Sequence, residues 1–305
     1  MSYNTRLNRQ MDVIKAREAR GKGRGRIKNR TLRKMLANRL STVGYIIFFT
    51  ILFICIFAPL FTSYVPTKID LISRLKPPTA QHIMGTDQIG RDIWARMLYG
   101  GRISIGVGLG SALGATLFGV FLGTIAGYKG GWLDSWVMRI SEILMSFPQM
   151  ILVMMLVTIT GQSLWNLIFI FVLTGWPSVY RMARSQMLSI REEEYVQALR
   201  AFGISDFKVA FKHMLPNAIG PLFVNVTLST AMFILQEASL SFLGLGVPLE
   251  ISTWGNILNA ANDLGMLRDA WWIWLPVGSM ITLFVLSINF IGDGLRDAAD
   301  PTQIG

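Results

Sequence analysis

Cysteine is nearly absent from this 305-residue sequence, since Cys55 is the only one. A single thiol excludes both a disulfide within the chain and a metal site built from several cysteines. The two histidines, His82 and His213, have no second ligand at a metal-binding spacing, so we expect no metal site. The G-x-x-x-x-G-K-[ST], H-E-x-x-H and G-x-S-x-G motifs are also absent. We therefore expect no catalytic residue and no cofactor bound to this chain.

Charged residues are scarce as well, at 15% of the chain, whereas 52% of the residues are hydrophobic. This balance is too apolar for a soluble domain of this length. The composition therefore predicts a protein that crosses a membrane several times.

The basic residues are concentrated at the N-terminus. Residues 1–40 contain 13 Lys or Arg against Asp12 and Glu18, a net charge of +11, and the other 265 residues sum to zero. Nucleic-acid binding is one interpretation, but Tyr3 is the only aromatic residue available for stacking. A cytoplasmic tail attracted to anionic lipid is favoured, with KNRTLRKMLANRL as an interfacial elbow helix. We expect lipid contact and no nucleic-acid partner.

Uncharged runs predict the membrane spans, because a span needs about 20 apolar residues. The third of five runs would be about 57 Å long as one helix, so we expect two spans there, with a break at residues 161–163. The prediction is an all-α membrane protein with six transmembrane helices. The runs are 43–61, 103–128, 143–180, 213–236 and 270–292.

Six spans place both termini on the same side of the membrane. With the basic tail inside, 22 Lys or Arg lie on the inner side and 6 on the outer side. The positive-inside rule therefore predicts cytoplasmic termini in the inner or plasma membrane. The expected regions are a tail and elbow at 1–40, a first span and outer loop at 41–101, a transmembrane core at 102–292 with an inner loop at 185–216, and a cytoplasmic C-terminus at 293–305.

Glycine recurs at every fourth position along the second predicted span. Glycine at this spacing lets neighbouring helices approach closely, so we expect contacts on two sides of this helix. The two stripes are Gly106, Gly110 and Gly114, and Gly119, Gly123 and Gly127.

The stretch 181–216 is amphipathic and reads as helix, turn, helix. A short helix with an apolar surface and a charged rim is typical of a ligand for a protein groove. A merely solvated loop is the alternative. The apolar surface is assigned to Leu199, Phe202, Phe207, Val209, Ala210 and Phe211.

This stretch resembles a known family. Gln197-Ala198-Leu199, then Gly203, then Leu215-Pro216 are similar to the cytoplasmic signature loop of ABC-importer permeases, in the version found in dipeptide and oligopeptide permeases. Further segments resemble that branch in order along residues 84–301. They are MGTDQIGRD (84–92), AGYKGGWLDSWVMR (126–139), EASLSFLGLG (237–246), WGNIL (254–258) and GDGLRDAADP (292–301).

The general signature begins with Glu-Ala-Ala, where this chain has Gln197, Ala198 and Leu199, and it has an aliphatic residue where His213 stands. Gln197 offers only a neutral hydrogen bond, which is weaker than that of a carboxylate by roughly half. The expected coupling residues are Gln197, Ala198, Leu199, Arg200, Gly203, Asp206, Phe207, Phe211, Leu215 and Pro216.

The resemblance implies a type I ABC-importer permease fold and an assembly of several proteins. The implied partners are a second homologous permease subunit, two ATP-binding subunits that hold ATP and magnesium, and an extracytoplasmic peptide-binding protein. The implied function is translocation of dipeptides or oligopeptides by alternating access.

Polar residues in the spans are candidates for the substrate pathway. Glu237 is an ionisable residue in a span-like segment, and it either meets the ammonium terminus of a peptide or lies near the outer interface or a partner subunit. Asn225, Gln236 and Asn289 are further candidates, although such residues more often join helices. Outside the membrane, Gly85, Asp87, Gly90 and Arg91 either contact the binding protein or form a structural lid.

Three other functions are compatible with parts of the sequence. A proton-driven transporter with Glu237 as carrier usually shows inverted repeats and several buried ionisable groups, which we do not find. An intramembrane enzyme needs a catalytic motif, and those considered above are absent. An importer of nickel or another small solute shares the family motifs, and the sequence does not separate it from a peptide importer.

Overall fold

The computed structural model describes residues 38–299, and the regular elements in this range are helices. The predicted tail and elbow at 1–37 and the end of the C-terminus lie outside the described residues. Short 3-10 turns occupy Leu71–Ser73 and Asn259–Asn262, and a π-helical stretch occupies Val209–Met214. The α-helices are α1 (Arg39–Ile56), α2 (Ala58–Phe61), α3 (Ile93–Lys129), α4 (Gly131–Met145), α5 (Gln149–Thr160), α6 (Leu164–Arg191), α7 (Glu194–Ala201), α8 (Asp206–Lys208), α9 (Leu215–Phe242), α10 (Trp254–Leu258), α11 (Leu264–Asp269) and α12 (Trp271–Ala299).

Four helical segments in 38–299 are long and apolar enough to cross a membrane. They are Arg39–Ile56, Ile93–Lys129, Asp206–Phe242 and Trp271–Asp297. The pair α4 and α5 is a fifth candidate if it counts as one span. A helical protein that crosses the membrane several times is therefore confirmed, with four or five apolar candidates where six spans are predicted.

The third uncharged run is broken twice. The predicted break is confirmed, because α5 ends at Thr160 and Gly161 follows with a positive φ of 84°. A second break, which the sequence analysis missed, bends α4 and α5 by 89° relative to each other. Pro148 stands at this break, immediately before α5, and proline has no N–H to donate to the preceding helical turn.

Helix α3 begins ten residues before the run that predicted it. Arg96 lies in its first turns with a side chain only 3% exposed, and it pairs with Asp87 of the preceding loop at 2.6 Å. The charge that bounded the predicted run is Arg102, whose guanidinium donates to the Cys55 and Ile56 carbonyl oxygens at 2.7 Å each. The helix therefore continues through both arginines, because each has a partner that offsets its charge. At 37 residues, α3 is about 56 Å long, so it is longer than the hydrocarbon layer.

Helix α3 lies in the centre of the bundle and packs along α6. A methyl group added at Gly123 would lie 2.7 Å from the Tyr180 carbonyl oxygen, so the two backbones approach closely only because this residue is glycine. The second glycine stripe thus contacts α6, as does Gly114. In contrast, Gly106 and Gly110 have no described atom within 4 Å of an added methyl group, so the predicted contact on the first stripe is absent there.

Candidate functional site

The linking segment, defined here as residues 192–214, joins α6 to α9. It contains α7, a turn, α8 and the π-helical stretch, so the predicted helix–turn–helix is confirmed. The turn is a Schellman motif in which Gly203 N–H donates to the Arg200 carbonyl at 2.9 Å and Ile204 N–H donates to the Leu199 carbonyl at 3.2 Å. Gly203 has a φ of +73°, a left-handed conformation that glycine adopts without strain.

One side of the linking segment is packed against the bundle. Val196, Val209 and Met214 are fully buried in a cluster that includes Tyr128 of α3 and Met187 of α6. Val209 and Ala210 were assigned to the exposed apolar surface, and this assignment was wrong, because both are buried here. Their burial fixes the segment on the ends of three long helices.

The other side of the segment exposes two aromatic rings. Phe202 is 84% exposed and Phe207 is 64% exposed. The Phe207 ring stacks on that of Phe211, with a centroid distance of 4.5 Å. Large apolar side chains at such exposure, beside the turn, leave a surface suited to contact with another protein.

The predicted coupling residues lie together but face different ways. Gln197 is exposed, and its amide donates to the Glu192 carbonyl at 3.2 Å. Ala198 is exposed and Leu199 is half-buried. Leu215 and Pro216 begin α9 directly after the π-helical stretch, within a helical segment that runs from Asp206 to Phe242.

Arg200 and Asp206 both contact Tyr128, a residue of α3 that the sequence analysis did not single out. The Tyr128 hydroxyl donates to Asp206 Oδ1 at 2.7 Å, and Arg200 Nε donates to the same hydroxyl at 3.2 Å. Tyr128 precedes these residues by more than 70 positions, so only the tertiary structure shows the connection.

Glu237, the first pathway candidate, is completely buried. Its carboxylate accepts hydrogen bonds from Ser241 at 2.9 Å and from Ser104 at 3.0 Å. Ser104 Oγ in turn accepts from the Trp254 N–H at 3.1 Å. In this conformation Glu237 joins α9, α3 and α10 within the subunit, and it does not line an open surface.

The other pathway candidates are half-buried on α9 and α12. Asn225 Oδ1 accepts from the Ser229 hydroxyl at 3.3 Å. Gln236 Oε1 is buried without a hydrogen-bond partner among the described residues. No hydrogen bond in residues 38–299 joins Asn225, Gln236 or Asn289 to Glu237, so the structure does not bring these four together as one polar site.

The loop before α3, residues 62–92, is held by buried ion pairs. Asp87 is 1% exposed, and its carboxylate accepts from Arg91 Nε at 2.7 Å and from Arg96 at 2.6 Å. Asp92 caps α3 by accepting from Ala95 N–H at 2.7 Å and contacts His82 Nδ1 at 2.8 Å. These interactions anchor the loop to the first turn of α3.

Gly85 and Gly90 of this loop are buried against Trp272 and the Asp70 backbone, respectively. A hydrogen bond from Ser73 lowers the pKa of Asp70, whose charged carboxylate caps the turn by accepting from Ile72 N–H at 3.1 Å. Of the four predicted binding-protein contacts, only Arg91 is partly accessible. The side chain of Ile72, in contrast, is 88% exposed.

Two family models match the chain. One is described as the binding-protein-dependent transport system inner membrane component and matches residues 119–304, more than half of the chain. The other is described as the N-terminal transmembrane domain of oligopeptide transport permease C and matches residues 29–78. The two matches lie in the order expected for one permease.

Curated relatives match over nearly the full length. A protein of Brucella suis assigned as a peptide permease is 42% identical over 272 residues, which cover 89% of this chain and 90% of that protein. The dipeptide transport system permease protein of Alkalihalophilus pseudofirmus is 41% identical over 269 residues, 88% of each chain. A protein of Brucella abortus assigned as a peptide transport system permease is 36% identical over 271 residues, 89% of this chain and 90% of that protein. The chain therefore belongs to the family of inner membrane components of binding-protein-dependent transport systems, as the resemblance to ABC-importer permeases predicted.

Proposed function

We propose that this chain is one permease subunit of an ATP-driven importer of dipeptides or oligopeptides. The relatives whose names give peptides or dipeptides as cargo support this substrate class. A peptide carries charged termini, which are costly to remove from water, so its route must be polar and wide. In this proposal the route forms between this chain and a second homologous permease.

The exposed aromatic side of the linking segment carries the proposal. Phe202 and Phe207 are largely exposed, while other residues of the same segment are packed on α3, α6 and α9. An element that is fixed on one side and apolar on the other can receive a partner and pass its movement to the helices behind it. The proposed partner is an ATP-binding subunit.

The proposed mechanism places nucleotide chemistry outside this chain. Two partner ATPases hold ATP and magnesium, and closure of their dimer moves the docked linking segment as a rigid body. Helices α6 and α9, which continue from its two ends, tilt with it. This movement opens the route outward to the binding protein, and hydrolysis resets it.

The proposed topology has six spans with both termini in the cytoplasm. Helix α6 is the fourth span in chain order and brings the total to six. Its 28 residues are long enough to cross even though its second half carries Arg181, Arg184 and Arg191. The proposed division at residues 40 and 292 matches this topology, whereas the boundary proposed at 101 falls inside α3, which begins at Ile93. The 62–92 loop then lies outside, where the binding protein docks.

Reconstitution tests the proposal. The chain is co-expressed with its cognate second permease and ATPases, purified, and placed in liposomes with the binding protein. Peptides and nickel are then offered separately, and both ATP hydrolysis and uptake are measured. We expect peptide-dependent stimulation of both activities. Stimulation by nickel alone, or uptake that follows a proton gradient without the ATPases, would contradict the proposal.

A further inference from the structure

Tyr128 lies where α3 ends against the linking segment. Its side chain belongs to α3, yet it is buried in the cluster formed by the linking segment and α6, and only 5% of it is exposed. Neighbours in this cluster include Met187 of α6, Val196 of α7 and Met214 of the π-helical stretch. The ring is therefore held in place from three directions.

The Tyr128 hydroxyl connects the two sides of the Gly203 turn. Before the turn, Arg200 donates to the hydroxyl at 3.2 Å, and its guanidinium carbon lies 4.6 Å from the centroid of the Tyr128 ring. After the turn, Asp206 accepts from the hydroxyl at 2.7 Å. One side chain thus bridges α7 and α8 across a glycine turn that would otherwise allow them to reorient.

Few other interactions brace this turn against α3. A cleft of about 350 Å³ lies between residues 205–211 of the linking segment and the end of α3, lined by Ile125, Tyr128, Lys129, Ser205, Asp206, Phe207, Ala210 and Phe211. On the far side of this cleft, the ring of Phe211 lies 5.8 Å from that of Phe121. The hydrogen bonds between α3 and the turn are therefore concentrated at Tyr128.

We propose that Tyr128 is a positioning residue that braces the linking segment, so that movement of a docked ATPase reaches the helices instead of being absorbed at the Gly203 turn. This inference rests on the proposed function, since it presumes that an ATPase docks on the segment. In this proposal the movement of the linking segment reaches α3 directly, as well as α6 and α9. Tyr128 itself touches neither the ATPase nor the substrate.

Tyr128→Phe tests this role, because it keeps the packed ring and removes only the hydroxyl. In the reconstituted assembly, we expect the ATPases still to associate but the number of substrate molecules imported per ATP to fall. Because Arg200 and Asp206 are exposed to solvent, which weakens their charge-assisted hydrogen bonds to Tyr128, we expect a fall of about fivefold. Asp206→Ala should lower the ratio similarly, and the double variant should be no worse than either single variant.

Tyr180→Phe is the matched control. The Tyr180 hydroxyl donates to Asp134 at 3.0 Å, and Arg184 pairs with the same carboxylate, so the chemistry matches that of Tyr128 with its Asp and Arg. This second set joins α6 to α4 and does not include the linking segment. We expect Tyr180→Phe to keep the wild-type ratio of transport to ATP hydrolysis.

The conservative variant Asp206→Asn separates positioning from folding, because an amide oxygen still accepts from the Tyr128 hydroxyl. We expect it to keep most of the wild-type ratio. A wild-type ratio in Tyr128→Phe, or an equal fall in Tyr180→Phe, would overturn the inference while leaving the proposed function intact. Failure of the wild-type chain to associate with an ATPase would overturn both.

Discussion

Replacement of Gly203 by alanine changes the backbone of the linking segment and little else. The residue has a φ of +73°, and apart from its chain neighbours no atom of residues 38–299 lies within 4 Å of an added methyl group, so the substitution costs backbone energy without a clash. A left-handed conformation costs a non-glycine residue about 1–2 kcal/mol. Asparagine tolerates this conformation better, so Gly203→Asn should be milder.

This cost predicts a change in docking. If the ATPase binds only the native turn, the apparent dissociation constant rises as the native turn becomes less populated. A penalty of about 1–2 kcal/mol corresponds to a weakening of at most about thirtyfold. Titration of the purified permease with fluorescently labelled ATPase measures the constant directly, and the amount of permease in the membrane reports folding.

Gly161→Ala is the control for this prediction. Gly161 has a φ of +84° and the same open space around an added methyl group, but it ends α5 far from the linking segment. We expect normal ATPase binding by Gly161→Ala. Wild-type affinity for the ATPase in Gly203→Ala, or an equal loss of affinity in Gly161→Ala, would show that docking does not depend on the left-handed turn at Gly203.

Three further substitutions follow from the structure. Phe202→Asp should keep the fold and weaken ATPase association by about tenfold or more. Leu264 is about equally exposed and serves as the control, so Leu264→Asp should leave ATPase association unchanged, as co-purification will show. Gly123→Ala should lower the thermal stability of the purified protein by about 1–3 kcal/mol, because the methyl group would lie 2.7 Å from a carbonyl oxygen of α6; Gly106→Ala, which faces open space, should not. Asp87→Ala should destabilise the 62–92 loop by about 3–5 kcal/mol, since it leaves a buried arginine unpaired, and limited proteolysis will detect this loss.

The sequence predicted the helical class and most spans because hydrocarbon imposes a simple length rule on apolar runs. It failed where a tertiary contact alters that rule. Arg102 appeared to end a span, but its guanidinium donates to two carbonyl oxygens of α1, and α3 continues past it. The bend after α4 could have been predicted, because Pro148 lies inside the third uncharged run. Only the break at residues 161–163 was predicted there.

The linking segment was located from its sequence, but its two sides were not separated. Val209 and Ala210 were assigned to the exposed apolar surface because they are apolar, whereas both are buried in the π-helical stretch against the bundle. The role of Tyr128 could not be predicted, since its partners lie more than 70 residues away. Glu237 was correctly noted as an ionisable residue in a span, but whether its carboxylate faces a route or an internal donor depends on packing that one sequence does not show.

The central claim is that the exposed aromatic side of the linking segment binds an ATPase. Phe202→Cys, made together with Cys55→Ser so that it is the only thiol, allows a cross-linker to be attached at this position in the assembled transporter. We expect a cross-link from residue 202 to an ATP-binding subunit, formed in membranes and lost when that subunit is absent. Labelling of residue 202 only from the outer side of the membrane, or no cross-link to any ATPase in an active transporter, would contradict it.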